Sequence, residues 1–433
     1  MNVGVATVDS APGRSSPRVY WLTEEFYPPQ IGGAELMAFY LSSGLANAGF
    51  PVDVITRQPD EPAATDEILG RVRVRRIPPR GLLKGIGWRA APGIIGYWLR
   101  IARILFAERR RYDLVLISGM KIIPLAAVPL CVLMGKRCVV RVESSFEIRE
   151  PVSAASLTGP GGLLRRATSS VLGRLQRLML QLSDRVVVIS DEILDLLRQG
   201  KGNISLARIP NAVDLERFKP VSRAERDEIR TRLRLPRDRT LIVFAGRLSR
   251  AKGIEMLVHA WPGLLARHPD LYLVIVGAGG GSFDDCESEL RSFVKERGLE
   301  GSVHFAGVSS KVEEFLQAGD VFVFPSDYEG FSLGLVEALG SAIPSVVTSV
   351  GAAPQLIEHG KTGFLFPPKD SGAMVAALEE CLSRRGSWSE IGQQAREAMA
   401  PYDLRAVVSA YVRLCMDVAG ARTPKPAPKP AQP

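Results

Sequence analysis

Short apolar runs alternate with helix-patterned stretches along most of this chain, and that alternation limits the folds open to it. In the second half the rhythm is regular. Strands are expected near Leu241–Ala245, Leu271–Val276, Val303–Phe305, Val321–Phe324 and Ser345–Thr348, with helical segments between them. Runs rich in Val, Ile, Leu and Phe, with little polar alternation, suit strands buried on both faces, as in parallel, doubly wound sheets covered by helices. The first half reads the same way less cleanly, with strands at Arg18–Thr23, Pro51–Thr56, Asp113–Ser118, Arg137–Val142 and Asp184–Ser190. A helix over Ala34–Ala48 follows the first of them, with Leu36, Phe39, Tyr40 and Leu45 as its buried stripe. The fold class is therefore α/β, with two doubly wound parallel-sheet domains facing across a cleft at the carboxyl ends of their strands.

A length of 433 residues fits two domains better than one core. The character changes around residues 209–238, where IPNAVDLERFKP leads into a charge-rich segment taken as the linker zone. The boundaries read as a disordered arm over 1–16, a first domain over 17–215 and a second over 216–402. A helix over 403–420, returning to the first domain, and a disordered Pro-rich tail over 421–433 complete the chain. Five scattered cysteines without a CxxC pair, and only four histidines, argue against a disulfide framework or a Cys/His metal site. The first 16 residues lack the basic start and apolar stretch of a secretory signal. The longest apolar run, Ile122–Met134, falls short of the roughly 20 residues a membrane-spanning helix needs and reads as a buried helix. A net charge of +9 points to an anionic partner. No zinc-finger spacing or aromatic-studded RNA motif accompanies the charge, so nucleic acid is not expected.

Three features of the second half carry chemistry. In FAGRLSRAKGIEMLVHA, Arg247 and Lys252 bracket the entry to a helix, a setting suited to a diphosphate; a pair of solvated surface cations is the alternative. VGAGGG, Val276 to Gly281, directly follows a strand, where glycines permit close backbone approach to a ligand or simply make a tight turn. In PSDYEGFSLGLVEALGSAIPSVVTS, Glu329 lies in a glycine-bearing loop and Glu337 on the following helix, whose N-terminus is built by Phe331, Ser332, Leu333 and Gly334. An ionised carboxylate on that helix can accept hydrogen bonds from two neighbouring ribose hydroxyls, leaving the loop carboxylate to face a sugar.

From Phe244 to Phe366 the chain resembles the nucleotide-sugar domain of the family 4 retaining glycosyltransferases, which have the GT-B fold of two Rossmann-like domains. The matching pieces are AGRLSRAKGIEMLV, HFAGV, FVFPSDYEGFSLGLVEALGSAIPSVVTS and GKTGFLF, with SDRVVVIS, IPNAVDLERF and PPQIGGAE upstream. The resemblance implies that Arg247 and Lys252 hold the donor diphosphate, Glu337 binds the ribose and Glu329 contacts the transferred sugar. It implies further that the backbone around Val308 touches the base, and that Gly33 closes over the phosphates from the first domain. Structural alternatives stand beside these: a tight turn at Gly33, plain core at Val308. Two departures touch sugar recognition. Where many members carry GG-x-x-Glu, this chain reads GAAPQL, with Ala352 and Gln355. Where many present a histidine in the first domain, it offers RVESSFE, with Glu143 as the nearest polar residue.

The implied activity is metal-independent hexosyl transfer, with retention, from a UDP- or GDP-linked sugar to a glycan, lipid-linked or small-molecule acceptor, in cell-envelope or exopolysaccharide biosynthesis. No separate cofactor is expected. A nucleotide-sugar epimerase or phosphorylase of the same architecture, or a non-catalytic partner protein, are the competing readings. The expected location is the cytoplasm, and two basic segments raise peripheral attachment to an anionic membrane surface. Lys84 to Arg111 has seven Lys or Arg and one acid, with Trp88, Ile94, Trp98, Ile101 and Leu105 along it. Gly162 to Leu182 has a stripe of Val171, Leu175, Leu178 and Leu182, with Arg165, Arg166, Arg174 and Arg177 elsewhere. Such segments either lie on an anionic bilayer or pack on the first sheet with their arginines in water.

Overall fold

A computed structural model describes residues 16–28, 32–59, 63–78, 91–149, 162–200, 202–280 and 284–420. The expected disordered arm and tail, Trp88 and Gly281 lie outside the described residues, apart from Ser16. The chain divides into two compact units, one comprising Met1–Pro210 and Val407–Pro433, the other Asn211–Ala406. The division thus falls at 210/211 and 406/407, where the sequence placed it at 215/216 and 402/403. Two local bonds explain the offset: Asn211 donates from Nδ2 to the Phe331 carbonyl at 3.1 Å, and Leu404 N–H donates to the Val213 carbonyl at 2.9 Å. Both stretches are thereby held in the second unit.

In the first unit the strands are β1 (Val19–Thr23), β2 (Val52–Arg57), β3 (Asp66–Leu69), β4 (Val72–Ile77), β5 (Leu114–Ser118), β6 (Arg137–Val142), β7 (Arg185–Val188) and β8 (Leu206–Arg208). They form one sheet in the order β3-β4-β2-β1-β5-β6-β7-β8, parallel except for the β3–β4 pair. Its helices are α1 (Gly33–Asn47), α2 (Ala91–Ala107), α3 (Ile123–Leu133), α4 (Ser145–Arg149), α5 (Gly162–Leu182) and α6 (Asp191–Gln199). Every residue of β1, β2 and β5 is buried, as expected for central strands covered on both faces. The antiparallel edge pair β3–β4 escapes the sequence reading, because β3 alternates exposed and half-buried residues and carries little apolar signal. On α1 the buried face contains Tyr40 and Leu45 as expected, but Met37 and Leu41 complete it, while Leu36 and Phe39 are half-buried.

The second unit contains β9 (Thr240–Ala245), β10 (Leu271–Val276), β11 (Val303–Gly307), β12 (Val321–Phe324), β13 (Ser345–Thr348) and β14 (Phe364–Phe366). These pair in the order β11-β10-β9-β12-β13-β14, all parallel. Its helices are α7 (Arg223–Arg232), α8 (Ile254–Arg267), α9 (Glu287–Glu296), α10 (Val312–Ala318), α11 (Leu333–Gly340), α12 (Ala353–Leu356), α13 (Ser371–Ser383) and α14 (Trp388–Glu397). The zone expected to be linker instead holds α7, started by a capping box in which Ser222 and Glu225 satisfy each other's backbone donors. This helix is fastened by charge rather than by an apolar stripe: Arg230 donates to the Ala318 carbonyl at 2.9 Å and pairs with Asp320 at 2.8 Å.

The last helix, α15 (Leu404–Gly420), belongs to the first unit from Val407 onward. There Tyr411 meets Trp21 at 6.2 Å between ring centroids, and Val408 fills the space that a side chain at Gly44 would take. No helix among the described residues is long and apolar enough to cross a membrane. The apolar run at 122–134 forms α3, buried through Ile123, Ala127, Val128 and Cys131 and exposed at Val132 and Leu133.

Candidate functional site

In the second sheet the strand order reverses between β9 and β12: β10 and β11 extend one way, β13 and β14 the other. Ligands in open α/β sheets bind at the carboxyl ends of the strands flanking such a switch point. Two of the sequence features lie there. Arg247 follows the end of β9 by two residues, and Glu329 lies in the loop from β12 to α11.

The loop after β9 is fixed by backbone bonds. Gly246 N–H donates to the Val276 carbonyl at 2.9 Å and Leu248 N–H to the Ala278 carbonyl at 3.0 Å. Gly277, at φ +137°, has no room for a side chain, since a Cβ there would sit 1.9 Å from the Gly246 carbonyl oxygen. This first glycine of VGAGGG therefore serves backbone–backbone approach. Arg250 pairs with Glu255 at 2.8 Å and Glu289 at 2.6 Å, which clamps the short 3₁₀ turn Arg250–Lys252. The turn ends at Gly253, at φ +64°, where an added Cβ would sit 2.0 Å from the Pro325 carbonyl oxygen, so a side chain there would force the chain to shift.

The β12–α11 loop is tied to that turn. Asp327 N–H donates to the Ala251 carbonyl at 2.9 Å, and the Ser326 hydroxyl reaches the same oxygen at 3.2 Å. Thr348, at the end of β13, donates to the Ser326 carbonyl at 2.6 Å. Gly351, at φ +56°, packs against the backbone of Glu329 and Gly330. These bonds bring Lys252 Nζ to 2.5 Å from Glu329 Oε1 across 77 positions of sequence, with the ammonium 5.6 Å above the Phe324 ring.

At the start of α11 the Ser332 hydroxyl accepts from Leu335 N–H at 3.3 Å. Phe331 is buried against Tyr402 at 5.7 Å, its carbonyl held by Asn211. Gly334 lies close over the end of β9, its missing Cβ 3.2 Å from the Ala245 carbonyl. Leu333 is half-buried. Glu329, Ser332, Thr348 and Val350 line a small cleft at this point.

One turn further along α11, the half-buried Glu337 carboxyl makes no hydrogen bond or ion pair among the described residues. Burial pushes its pKa up to about 7; the Arg217 guanidinium works against the shift and the Glu313 carboxylate with it. Arg217 itself bonds the Ser310 carbonyl at 2.7 Å and Glu313 at 2.6 Å, so Glu337 lies beside the segment that follows β11. Val308, at the head of that segment, is 61% exposed and is not core.

The structure thus joins Lys252 to Glu329 directly, sets both beside the start of α11, and places Glu337 near Arg217 and Glu313. No hydrogen bond or ion pair connects Arg247 to Lys252, or Glu337 to Glu329, among the described residues; Arg247 is exposed. Gly33 lies in the first unit as the first residue of α1, whose preceding Gly32 abuts the carboxyl of Glu35. Burial first, helped by the Glu25 and Glu143 carboxylates, raises that carboxyl to about 7. Glu143 is paired with the buried Arg141. Ala352 is buried, and Gln355 is half-buried on the short helix α12.

Sequence reasoning missed Asn211 and Arg217. Both sit in IPNAVDLERF, a stretch singled out without a role for either residue. A polar residue at a strand exit was the available signal, and only the folded chain shows what it faces.

Residues 31–217 match the family described as Glycosyltransferase Family 4, and residues 225–398 match Glycosyl transferases group 1. The lipopolysaccharide core biosynthesis mannosyltransferase LpsB of Rhizobium meliloti (strain 1021) is 28% identical over 213 residues, 48% of this chain and 60% of that protein. The chain therefore spans less than two thirds of that relative. Sucrose-phosphate synthase from Thermosynechococcus elongatus is similar in fold, with a TM-score of 0.75 at 23% identity over 93% of this chain and 99% of the other. Anabaena HepE, solved in complex with UDP, gives a TM-score of 0.71 at 18% identity over 92% and 100%.

Proposed function

Because the chain belongs to the family 4 glycosyltransferases and has their GT-B fold, we propose that it transfers a hexosyl group, with retention, from a nucleoside diphosphate sugar bound in its second unit. One observation carries this reading: Lys252 and Glu329, far apart in sequence, meet at the β9/β12 switch point beside the start of α11.

In the proposed reaction the bond between the anomeric carbon and the diphosphate breaks, and an acceptor hydroxyl oxygen attacks the same face of the sugar. The hydroxyl proton leaves with the departing diphosphate. Arg247, Lys252 and the N–H groups of Phe331 to Gly334 stabilise the charge that develops there, without a metal. Glu337 accepts from the ribose hydroxyls, the Val308 backbone lies along the base, Glu329 faces the sugar, and Gly33 approaches the phosphates. Before donor binds, Glu329 holds Lys252; the diphosphate then takes over that cation. UDP in the Anabaena structure supports a UDP-linked donor over a GDP-linked one. The acceptor is a glycan or lipid-linked sugar, in keeping with the name of the Rhizobium relative, and its site lies in the first unit.

A thermal-shift screen against UDP-, GDP- and ADP-sugars tests the donor, since a ligand that binds only the folded state raises its melting temperature. One nucleotide class should stabilise the chain, and Arg247→Ala, Lys252→Ala and Glu337→Ala should each abolish the shift. Transfer should fall by about 100-fold or more in the two cation variants. A shift that survives all three substitutions overturns the site.

A further inference from the structure

Eight of the eleven large apolar side chains that stand exposed among the described residues lie on three neighbouring helices of the first unit: α2, α3 and α5. The central helix α3 packs against both others. Trp98 of α2 donates to the Ile122 carbonyl at 2.8 Å, and Gln176 of α5 donates to the Met120 carbonyl at 3.0 Å, so both flanking helices are pinned at the start of α3. The expected stripe of α2 turns inward: Ile101 and Leu105 are buried, and Trp98 is half-buried with its indole nitrogen engaged. A second apolar line, Ile95, Leu99 and Phe106, faces out. On α5 the expected stripe is itself the exposed one, through Val171, Leu175 and Leu178. At the end of α3, Leu133 is 83% exposed.

The charge on this layer has one sign. The sequences of the three helices contain no Asp or Glu. Exposed arginines flank the apolar lines, with Arg100 and Arg103 on α2, Arg174 on α5, and Arg109, Arg110 and Arg111 just past α2. The acids that directly follow these helices are paired: Glu108, one residue past α2, with Arg75 at 2.8 Å, and Asp184, two residues past α5, with Arg137 at 2.9 Å. A contiguous apolar patch exposed on a folded unit marks an interaction surface. A protein partner of ordinary composition brings both charge signs, whereas an anionic bilayer offers hydrocarbon beneath an unbroken layer of negative charge.

We propose that the outward face of α2, α3 and α5 docks on an anionic phospholipid bilayer, with Leu99, Leu133, Leu175 and Leu178 entering the headgroup–acyl boundary and the arginines contacting lipid phosphates. The proposal rests on this surface alone and needs no donor or transfer, so it stands or falls separately from the proposed reaction.

The test is co-sedimentation of the full chain with vesicles of phosphatidylcholine alone and of phosphatidylcholine with phosphatidylglycerol. Partitioning should be at least about tenfold stronger on the anionic vesicles and should weaken as salt is raised. Leu99→Asp with Leu175→Asp should abolish it, and Arg100→Glu with Arg103→Glu should lower it about tenfold or more. All these positions are exposed, so melting temperatures within a few degrees of the parent identify folded variants. Equal recovery on the two vesicles, no recovery on either, or binding that survives both variant pairs each overturns the proposal. So does a dimer that the Leu99→Asp chain breaks while lipid partitioning is unchanged, because the face then joins two copies.

Discussion

The Lys252–Glu329 contact concentrates the chemistry of the second unit in two side chains, 23% and 13% exposed. Partial burial limits screening by water, so each group is costly to leave alone. Glu329→Gln removes the anion that holds Lys252 in the empty site. The expected result is transfer reduced by about 100-fold or more, while the nucleoside diphosphate binds as well as before or more tightly. Titration calorimetry beside activity assays checks both halves; a binding loss as large as the activity loss would assign Glu329 to donor affinity instead. Glu337 gives a second prediction. With its pKa near 7, the carboxyl is partly protonated at neutral pH, and only the ionised form presents both oxygens as acceptors, one to each hydroxyl. Donor affinity should rise as pH increases through about 7, and Glu337→Gln should bind more weakly with the pH dependence gone.

Elements matter here through their ends. The 3₁₀ turn Arg250–Lys252 stops at Gly253 because only glycine tolerates φ +64° so near the Pro325 carbonyl. Gly253→Ala should cost about 2 kcal/mol or more through strain and the backbone clash, read as a lower urea midpoint, and should lower turnover by displacing Lys252. The start of α11 depends likewise on Asn211, the buried donor to the Phe331 carbonyl. Asn211→Ala leaves that acceptor unmet, a loss of about 1–3 kcal/mol. Donor binding should weaken with it, because the carbonyl belongs to the backbone that forms the α11 N-terminus. Asn211→Asp cannot donate and should behave like the alanine variant, which separates the hydrogen bond from packing.

For the whole molecule, buried carboxyls set the pH response. Glu147 in the first unit and Glu337 in the second are raised from 4.5 to about 7, desolvation being the largest cause in each. A carboxyl whose folded pKa lies above its unfolded value favours folding while protonated, and that contribution is lost as pH rises from about 4.5 through 7. Asp270 is the opposite case, lowered to about 2 by Arg385, and its contribution is lost only as pH falls from about 4 through 2. Melting temperature should therefore decline between about pH 5 and pH 8, and Glu147→Gln should make the decline shallower. A flat profile in that window would show that Glu147 is solvated in the folded chain.

The alternating apolar runs alone determined the α/β class and placed most parallel strands to within a residue or two, because a buried strand must be apolar along its length. They could not reveal β3, which is half polar, or α7, which is anchored by arginines. The loop and helix carrying Glu329 and Glu337 were legible as a motif. That Glu329 pairs with Lys252 was not, since the contact follows from how β9 and β12 lie side by side. Helices α2 and α5 make the same point about surfaces. Both carry an apolar stripe of similar spacing, yet the expected stripe of α2 is buried and that of α5 faces out. Periodicity records that one face of a helix is apolar; only the tertiary structure decides whether protein covers it or leaves it open to a partner.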